Sequence, residues 1–286
     1  MTESPFLVVV TDLDGALLDH ETYGYDAARE TLDLLARSGV PVVLSSSKTQ
    51  AEIATVQREL GIRHPSICEN GGALFIPDGY FPFLPGIVRR VHNGVAVEFG
   101  SPYRDVVAAL QVVAMRLHTT VIGFNDMSAD EVAHLCHLSL AQARLAKLRE
   151  YDEPFRIMHP VPAARARLRA ALHARGFRYT RGARFDHVTG ATDKGLPLAA
   201  LRTLYQRNVG RRALTIGLGD SLNDLALLAN VDIPIVVRNQ ATVTTGRLLA
   251  RLPAARLTRT SGPAGWSEAV REVLAAVRPL APAEPS

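Results

Sequence analysis

The sequence is poor in residues that mark several common classes of protein. It has two cysteines, Cys68 and Cys136, which form no Cys-x-x-Cys pair, so neither a disulfide framework nor a cysteine metal site is expected. None of the nine histidines has the spacing His-x-x-x-His or His-Glu-x-x-His, which disfavours zinc chemistry. No apolar run reaches the length that spans a membrane.

The sequence also has a small net charge and no signal-peptide pattern at its first residues. The formal net charge is only +4 in 286 residues, so the sequence gives little support to nucleic-acid binding. The first residues, Met1 to Pro5, lack the basic and apolar regions of a signal peptide. We therefore expect a cytoplasmic protein with reduced thiols and with neither a nucleic-acid nor a membrane partner.

Two pairs of aspartates follow predicted buried strands. Asp12 and Asp14 come directly after an apolar run, and alternation along an extended chain places both on the same side. A second apolar run ends at Asp220, and Asp224 follows four residues later, where an opening helix brings it back toward Asp220. Surface turns and helix N-caps explain single aspartates, but not two acidic strand ends. Crowded carboxylates need a cation or a shared proton, and oxygen ligands of this kind suit Mg²⁺.

Lysine is rare, with three lysines among 32 basic residues, so each lysine stands out. Lys194 precedes a predicted helix, where its point charge can neutralise both a phosphate and an aspartate nucleophile. Lys48 follows the serines at 45–47, which end a third predicted strand and whose hydroxyls can donate to phosphate oxygens. Those serines also fit a helix cap, although Thr49 and Glu52 form a capping box without them.

These residues, taken in chain order, resemble the four motifs of haloacid dehalogenase-type phosphatases. The matching segments are Asp12-x-Asp14-Gly15, Ser46, Lys194 and Gly219–Asp224. Four longer segments look like the mannosyl-3-phosphoglycerate phosphatase family, namely 45–49, 68–72, 146–153 and 217–224. The resemblance spans roughly residues 6 to 240. One departure is Ala16, where the family usually carries threonine.

The expected fold class is α/β. Helix and strand patterns alternate from the start of the chain, as in βαβ units. The resemblance implies a doubly wound, mostly parallel sheet core of the haloacid dehalogenase type with an inserted α/β cap domain that selects the leaving group. Proline and glycine near 81–86 and at Thr189–Gly190 indicate hinges. We therefore expect a first core segment at 1–85, a cap at 86–189 and a second core segment at 190–286.

The resemblance also implies a mechanism and a catalytic set. Asp12 attacks phosphorus to form an aspartyl-phosphate, while Asp14 protonates the leaving alkoxide and then deprotonates the hydrolytic water. Ser46 and Lys194 hold the phosphate oxygens that are not transferred.

The implied cofactor is Mg²⁺. Its expected ligands are the Asp12 carboxylate, the Asp14 backbone carbonyl and Asp220, with Asp224 orienting the metal's water shell or Lys194.

The implied substrate is a small phosphorylated sugar-glycerate, mannosyl-3-phosphoglycerate, whose hydrolysis yields the compatible solute mannosylglycerate and phosphate. Arg144 and Lys147, three residues apart on a predicted helix, can meet the glycerate carboxylate or can form a solvated basic face. Glu69 and Asn70 can reach sugar hydroxyls, although Asn70-Gly71-Gly72 equally fits a plain hairpin turn.

Three alternatives to the mannosyl substrate remain open at this point. The first is glucosyl-3-phosphoglycerate, and the second is another sugar-phosphate phosphatase or phosphomutase of the same superfamily. The third is a catalytically silent phosphate-binding module, which the completeness of the motifs disfavours.

Overall fold

The computed structural model describes residues 5–83, 86–158, 163–182, 185–239 and 242–277. The chain divides into two compact units, Met1–Val43 with Arg202–Ser286 and Leu44–Leu201. Among the residues in the ranges given above, no helix has the length and apolar character needed to cross a membrane.

Strands and helices alternate along most of the chain. The strands are β1 (Phe6–Thr11), β2 (Val42–Ser45), β3 (Ser66–Cys68), β4 (Ala73–Pro77), β5 (Arg89–Val91), β6 (Gly94–Glu98), β7 (Val121–Gly123), β8 (Asp152–Ile157), β9 (Arg178–Arg181), β10 (Asp186–Thr189), β11 (Ala213–Gly219), β12 (Ile233–Arg238) and β13 (Arg256–Ser261). The α-helices are α1 (Arg29–Arg37), α2 (Gln50–Glu59), α3 (Tyr103–Arg116), α4 (Ala129–Cys136), α5 (Leu140–Ala146), α6 (Ala164–His173), α7 (Gly195–Val209), α8 (Leu225–Ala229), α9 (Thr242–Arg251) and α10 (Gly262–Val277). Short 3-10 helices lie at Asp26–Ala28, Glu69–Gly71 and Leu222–Asp224.

The first unit contains four parallel strands in the order β13-β12-β11-β1. The apolar run at residues 7–10 forms the buried part of β1, and each of its side chains is at most 1% exposed. Strands β1 and β11 pair so that Thr11 lies beside Leu218. Because parallel strands end at the same edge of a sheet, this register brings the residues after both strands to one edge.

Helix α10 supports that edge from within the first unit. Its Trp266 is completely buried, and the indole N–H donates to the Thr11 hydroxyl at 2.9 Å. The Thr11 hydroxyl in turn donates to the Asp12 carbonyl at 2.8 Å. The backbone at the end of β1 is therefore fixed by a buried side chain from the last helix.

The second unit contains strands of two sheets. In one, β2 pairs with β3 in parallel, and β3, β4, β6 and β5 follow as antiparallel neighbours. The other is a four-stranded antiparallel sheet, β7-β8-β10-β9, whose apolar side chains pack with those of α3 and α6. The α/β fold class predicted from the sequence is confirmed, with antiparallel strands beside the parallel ones.

The strand pairing bears on where a cap would begin. Strands β5 and β6 lie inside the predicted cap range 86–189, yet both belong to the sheet of β4. The four-stranded sheet starts later, at β7. The division into core and cap stays a prediction, and the pairing favours a cap that starts after β6.

The local signals in the sequence agree with the helix starts. At α2, the Thr49 hydroxyl accepts from the Glu52 N–H at 3.2 Å, and the Glu52 carboxylate accepts from the Thr49 N–H at 2.8 Å. Reciprocal capping boxes of the same kind begin α4 at Ser128 and α5 at Ser139. Such pairs satisfy backbone N–H groups that the helix itself leaves without acceptors.

Candidate active site

Three buried carboxylates meet at the edge of the first unit's sheet. Asp12, Asp220 and Asp224 are at most 5% exposed, and each contributes an oxygen such that all three oxygens lie within 4.8 Å of one another. The strand register produces this cluster, since the Asp12 N–H donates to the carbonyl of Leu218, two residues before Asp220, at 2.8 Å. The structure thus brings together three of the four predicted metal ligands.

Neighbouring groups fix the orientation of these carboxylates. The Asp224 carboxylate accepts the N–H groups of Asp220 and Ser221, both at 3.1 Å. The Asp220 carboxylate accepts from the side-chain amide of Asn239 at 2.5 Å. Gly15 has φ of +84°, and a β-carbon there would lie 2.5 Å from an Asp220 oxygen, so only glycine fits beside this carboxylate.

Asp14 lies in the turn that follows β1, two residues after Asp12. It forms an isolated bridge with Leu18, and the next residue, Gly15, donates its N–H to the Leu18 carbonyl at 2.9 Å. Its carboxylate is outside the cluster of three. That placement suits a carboxyl group with a role different from that of Asp12.

The donor set of the cluster fits a hard divalent cation. Three carboxylates this close repel one another unless a positive charge or protons offset them. All of the donors are oxygens, which Mg²⁺ prefers over nitrogen and sulfur ligands. The donor chemistry of the cluster therefore suits Mg²⁺.

Ser46 and Lys194 come together in the second unit. Ser46 follows β2 directly, is 1% exposed, and donates its N–H to the Ile67 carbonyl at 2.9 Å. Lys194 is completely buried, and its ammonium donates to the carbonyl of Ser45 at 3.0 Å. A buried ammonium held at the end of β2, on the residue that precedes Ser46, suits an anion such as phosphate.

The turn between β3 and β4 holds Lys194 in place. Gly71 in that turn has φ of +95°, and a β-carbon there would lie 2.2 Å from the Asp193 carbonyl oxygen. The Thr192 hydroxyl donates to the Gly71 carbonyl at 2.7 Å. The predicted hairpin turn is present, because β3 and β4 pair antiparallel on either side of it, and it packs against the residues that lead into Lys194.

The side chains of Glu69 and Asn70 bind another segment of the same unit. The Glu69 carboxylate is 1% exposed and accepts the N–H groups of residues 150, 151 and 152 at 2.8 to 3.1 Å. The Asn70 amide donates to Asp152 at 2.6 Å. Burial raises the pKa of Glu69 to about 7, although Arg149 and the amides act in the opposite direction. The predicted sugar contacts of Glu69 and Asn70 are disfavoured by these internal bonds and stay a prediction.

A buried ionisable cluster surrounds the start of β8. Asp152 is completely buried, and its carboxylate lies 3.0 Å from the His187 ring nitrogen and 3.7 Å from Arg149. Burial by itself raises the pKa of Asp152, but His187, Arg149 and Asn70 together hold that pKa below its ordinary value. Sequence reasoning did not assign roles to Arg149, Asp152 or His187. Arg149 and Asp152 do fall in the segment 146–153 that resembles the phosphatase family, within a run of charged residues just before a predicted strand.

The next residue, Glu153, is also buried. Its carboxylate accepts from the Tyr103 hydroxyl at 2.5 Å and from the Asn125 N–H at 3.0 Å. Burial raises the pKa of Glu153 to about 7, and the hydrogen bonds from Tyr103 and Asn125 only partly offset that effect.

Arg144 and Lys147 do not share the environment that the sequence predicted. Arg144 lies on α5, whereas Lys147 lies just after the last residue of that helix. The Lys147 ammonium donates to the backbone carbonyls of Phe124 and Met127. These bonds give Lys147 a structural role and disfavour its predicted contact with a glycerate carboxylate. That contact stays a prediction for both residues.

Known proteins with similar sequences show the family to which this chain belongs. Residues 9–79 match the haloacid dehalogenase-like hydrolase family. The chain is 39% identical to the glucosyl-3-phosphoglycerate/mannosyl-3-phosphoglycerate phosphatase of Methanococcoides burtonii, over 93% of this chain and 97% of the relative. The chain belongs to this phosphatase family. It is therefore a phosphoric monoester hydrolase of the haloacid dehalogenase type.

Two further comparisons fit that assignment. A relative with the same name from Persephonella marina is 34% identical over 94% of this chain and 97% of its own length. A solved phosphatase of the haloalkanoate superfamily from Bacteroides thetaiotaomicron has a TM-score of 0.66 and 16% identity, covering 95% of this chain and 96% of that one. This second likeness shows the fold alone.

Proposed function

We propose that the protein hydrolyses mannosyl-3-phosphoglycerate to mannosylglycerate and phosphate in a Mg²⁺-dependent reaction. The observation that carries the proposal is the buried cluster of Asp12, Asp220 and Asp224, with Asp14 in the adjoining turn. A sugar-glycerate substrate is supported by the names of the two relatives. We also propose a cytoplasmic location, which suits the buried free thiols of Cys68 and Cys136.

The first chemical step belongs to Asp12 and Asp14. A carboxylate oxygen of Asp12 attacks phosphorus, and the bond from phosphorus to the glycerate oxygen breaks in line with the attack. Asp14 gives its proton to the departing alkoxide, so the glycosylglycerate leaves with its hydroxyl restored. The product of this step is an aspartyl-phosphate on Asp12.

The second step returns the enzyme to its starting state. Asp14, now ionised, takes a proton from a water molecule as the water attacks phosphorus. The bond between phosphorus and the Asp12 oxygen breaks, which frees inorganic phosphate and restores the Asp12 carboxylate. Asp14 ends the cycle protonated, ready for the next leaving group.

Mg²⁺ would be held by the Asp12 and Asp220 carboxylates and the Asp14 carbonyl, with Asp224 supporting the site. When bound, the ion neutralises charge on the transferring phosphoryl group and lets Asp12 stay ionised. Asp224 orients the backbone of Asp220 through its hydrogen bonds to the N–H groups there.

The family resemblance assigns the phosphate oxygens to Ser46 and Lys194. The buried ammonium of Lys194, already directed to the Ser45 carbonyl, supplies a fixed positive charge. The Ser46 hydroxyl supplies a neutral donor. Preorganised donors of this kind stabilise the charge that develops on phosphate oxygens during transfer.

A second substrate, glucosyl-3-phosphoglycerate, has the same support. Both relatives carry a name that includes the glucosyl and the mannosyl compound. The two sugars differ in the orientation of one hydroxyl, and a binding site that contacts mainly the glycerate part of the substrate would accept either.

Phosphate release from a substrate panel tests the proposal. The panel contains mannosyl- and glucosyl-3-phosphoglycerate, sucrose 6-phosphate, mannose 6-phosphate and 3-phosphoglycerate, each with Mg²⁺. We expect kcat/KM for at least one glycosyl phosphoglycerate to exceed that of the other esters by about a hundredfold or more. Preference for a plain sugar phosphate would refute the substrate, and an isomerised sugar phosphate without phosphate release would indicate a mutase.

A further inference from the structure

The loop that carries Ser46 is held by its backbone carbonyls. We call residues 45–48 the serine loop. The carbonyls of residues 45, 46 and 48 accept hydrogen bonds from the Lys194 ammonium, the Asn70 N–H and the Glu69 N–H, each at 3.0 Å. Three of four consecutive carbonyls are thus bound by the turn between β3 and β4 or by Lys194.

The fourth carbonyl, that of Ser47, is bound by Arg149. The Arg149 Nη1 donates to it at 2.7 Å, and the Nε donates to the Ala146 carbonyl at 3.1 Å. The guanidinium is only 5% exposed, lies 3.7 Å from Asp152, and sits over the Phe124 ring at 5.6 Å. A planar guanidinium with several donors can serve two carbonyls and a carboxylate together, which a lysine ammonium does less well.

The Ser46 hydroxyl depends on the conformation of this loop. Its oxygen accepts the Lys48 N–H at 3.2 Å. A hydroxyl that accepts one hydrogen bond keeps its O–H as a donor, and a donor is what a phosphate oxygen requires. The carbonyl that Arg149 binds lies between Ser46 and Lys48 in the chain, so a rotation there would break this bond and redirect the hydroxyl.

The same turn links the serine loop to the segment that contains Arg149. With their backbone N–H groups, Glu69 and Asn70 bind the serine loop, and with their side chains they bind residues 150–152. The position of segment 149–152 and the shape of the serine loop are therefore set by one group of contacts.

We propose that Arg149 is a positioning residue for phosphate binding, which aims the Ser46 hydroxyl by holding the Ser47 carbonyl. The inference rests on the proposed function, because it takes Ser46 as a donor to phosphate. The competing explanation is that Arg149 only neutralises the buried carboxylates of Glu69 and Asp152. The two explanations differ in what happens to phosphate affinity in a folded variant.

The test measures binding of inorganic phosphate to the full chain with Mg²⁺ by calorimetry. Arg149→Ala should weaken phosphate binding at least about tenfold, because the misdirected Ser46 hydroxyl would lose its charge-assisted hydrogen bond to phosphate. Guanidinium chloride at a concentration that leaves the wild type folded should restore most of that loss. The control is Arg116→Ala, an exposed arginine at the end of α3, which should change phosphate affinity less than about twofold.

A second variant covers the case in which Arg149→Ala does not fold. Arg149→Lys keeps the positive charge beside Glu69 and Asp152, so this variant should fold. Its phosphate affinity should fall at least about threefold, because an ammonium group cannot make all the hydrogen bonds of the planar guanidinium. Folded variants that bind phosphate within about twofold of wild type would overturn the proposal, as would a loss in Arg149→Ala that guanidinium does not reverse. A wild-type protein that hydrolyses no phosphate ester would instead refute the proposed function.

Discussion

Gly71, in the turn between β3 and β4, packs directly against the backbone that leads into Lys194, and the effect of this packing can be measured. The residue is buried with φ of +95°, and a β-carbon there would lie 2.2 Å from the Asp193 carbonyl oxygen and 2.8 Å from the Lys194 nitrogen. Both of these atoms belong to the backbone, which cannot rotate aside as a flexible side chain does. Gly71→Ala should therefore displace the residues that lead into Lys194.

Two terms set the size of the effect on stability. A left-handed conformation costs an alanine about 1–2 kcal/mol, and overpacking a buried site costs about 1–3 kcal/mol more. We therefore expect Gly71→Ala to lower the free energy of unfolding by about 2–5 kcal/mol. Gly79→Ala is a matched control, because Gly79 has φ of +70° but a β-carbon there would meet none of the described atoms within 4 Å. Gly79→Ala should therefore lower the free energy of unfolding only by the cost of the left-handed conformation, about 1–2 kcal/mol.

Urea unfolding gives the stabilities, and turnover of an aryl phosphate reports on Lys194. A displacement near 1 Å at a catalytic group costs about a hundredfold in rate, so Gly71→Ala should lose about that much in kcat/KM while Gly79→Ala keeps wild-type activity. Equal stability losses in the two variants, with activity intact in both, would refute the link between the turn and Lys194.

Three further predictions concern the metal, the substrate and pH. Asp220→Ala should raise the Mg²⁺ concentration for half-maximal activity about tenfold or more, and undiminished activity in chelator would contradict a metal role. Arg144→Ala should lower kcat/KM about tenfold to a hundredfold for glycosyl phosphoglycerate but not for an aryl phosphate. Equal losses on both substrates would indicate a damaged fold. Lys147→Ala should mainly lower the free energy of unfolding. Burial raises the pKa of Glu153 to about 7, so the folded state holds a proton that the unfolded state releases, and stability should fall as pH rises from about 4.5 to 7. Urea unfolding across that range should show a shallower decline in Glu153→Gln, and an unchanged slope would contradict the assignment.

The sequence predicted the acidic strand ends because both signals are local. The apolar runs before Asp12 and Asp220 define two strands, and pairing of parallel strands brings their ends together. The capping boxes at Thr49, Ser128 and Ser139 are equally local, since each joins residues three apart. In such cases the residues that make the interaction are visible within one short window.

Long-range partners were not predictable in the same way. Glu69 binds amides more than 80 residues away, and nothing in its local sequence distinguishes this from an exposed turn. Asn239 follows β12 and donates to Asp220, yet a single asparagine after a strand is a common turn residue. The sequence predicts for Lys147 either a contact with the glycerate carboxylate or a solvated face, because its acceptors in the structure are backbone carbonyls, which no residue type in the sequence indicates.

The assignment of Asp12 as nucleophile is tested most directly by phosphate release from mannosyl-3-phosphoglycerate with Mg²⁺, measured side by side for wild type and Asp12→Asn. The amide has a similar shape but cannot attack phosphorus, so the variant should fold normally and lose turnover. We expect the wild type to release one phosphate for each mannosylglycerate formed and the variant to release none above background. Phosphate release by Asp12→Asn within about tenfold of wild type would contradict the aspartyl-phosphate mechanism.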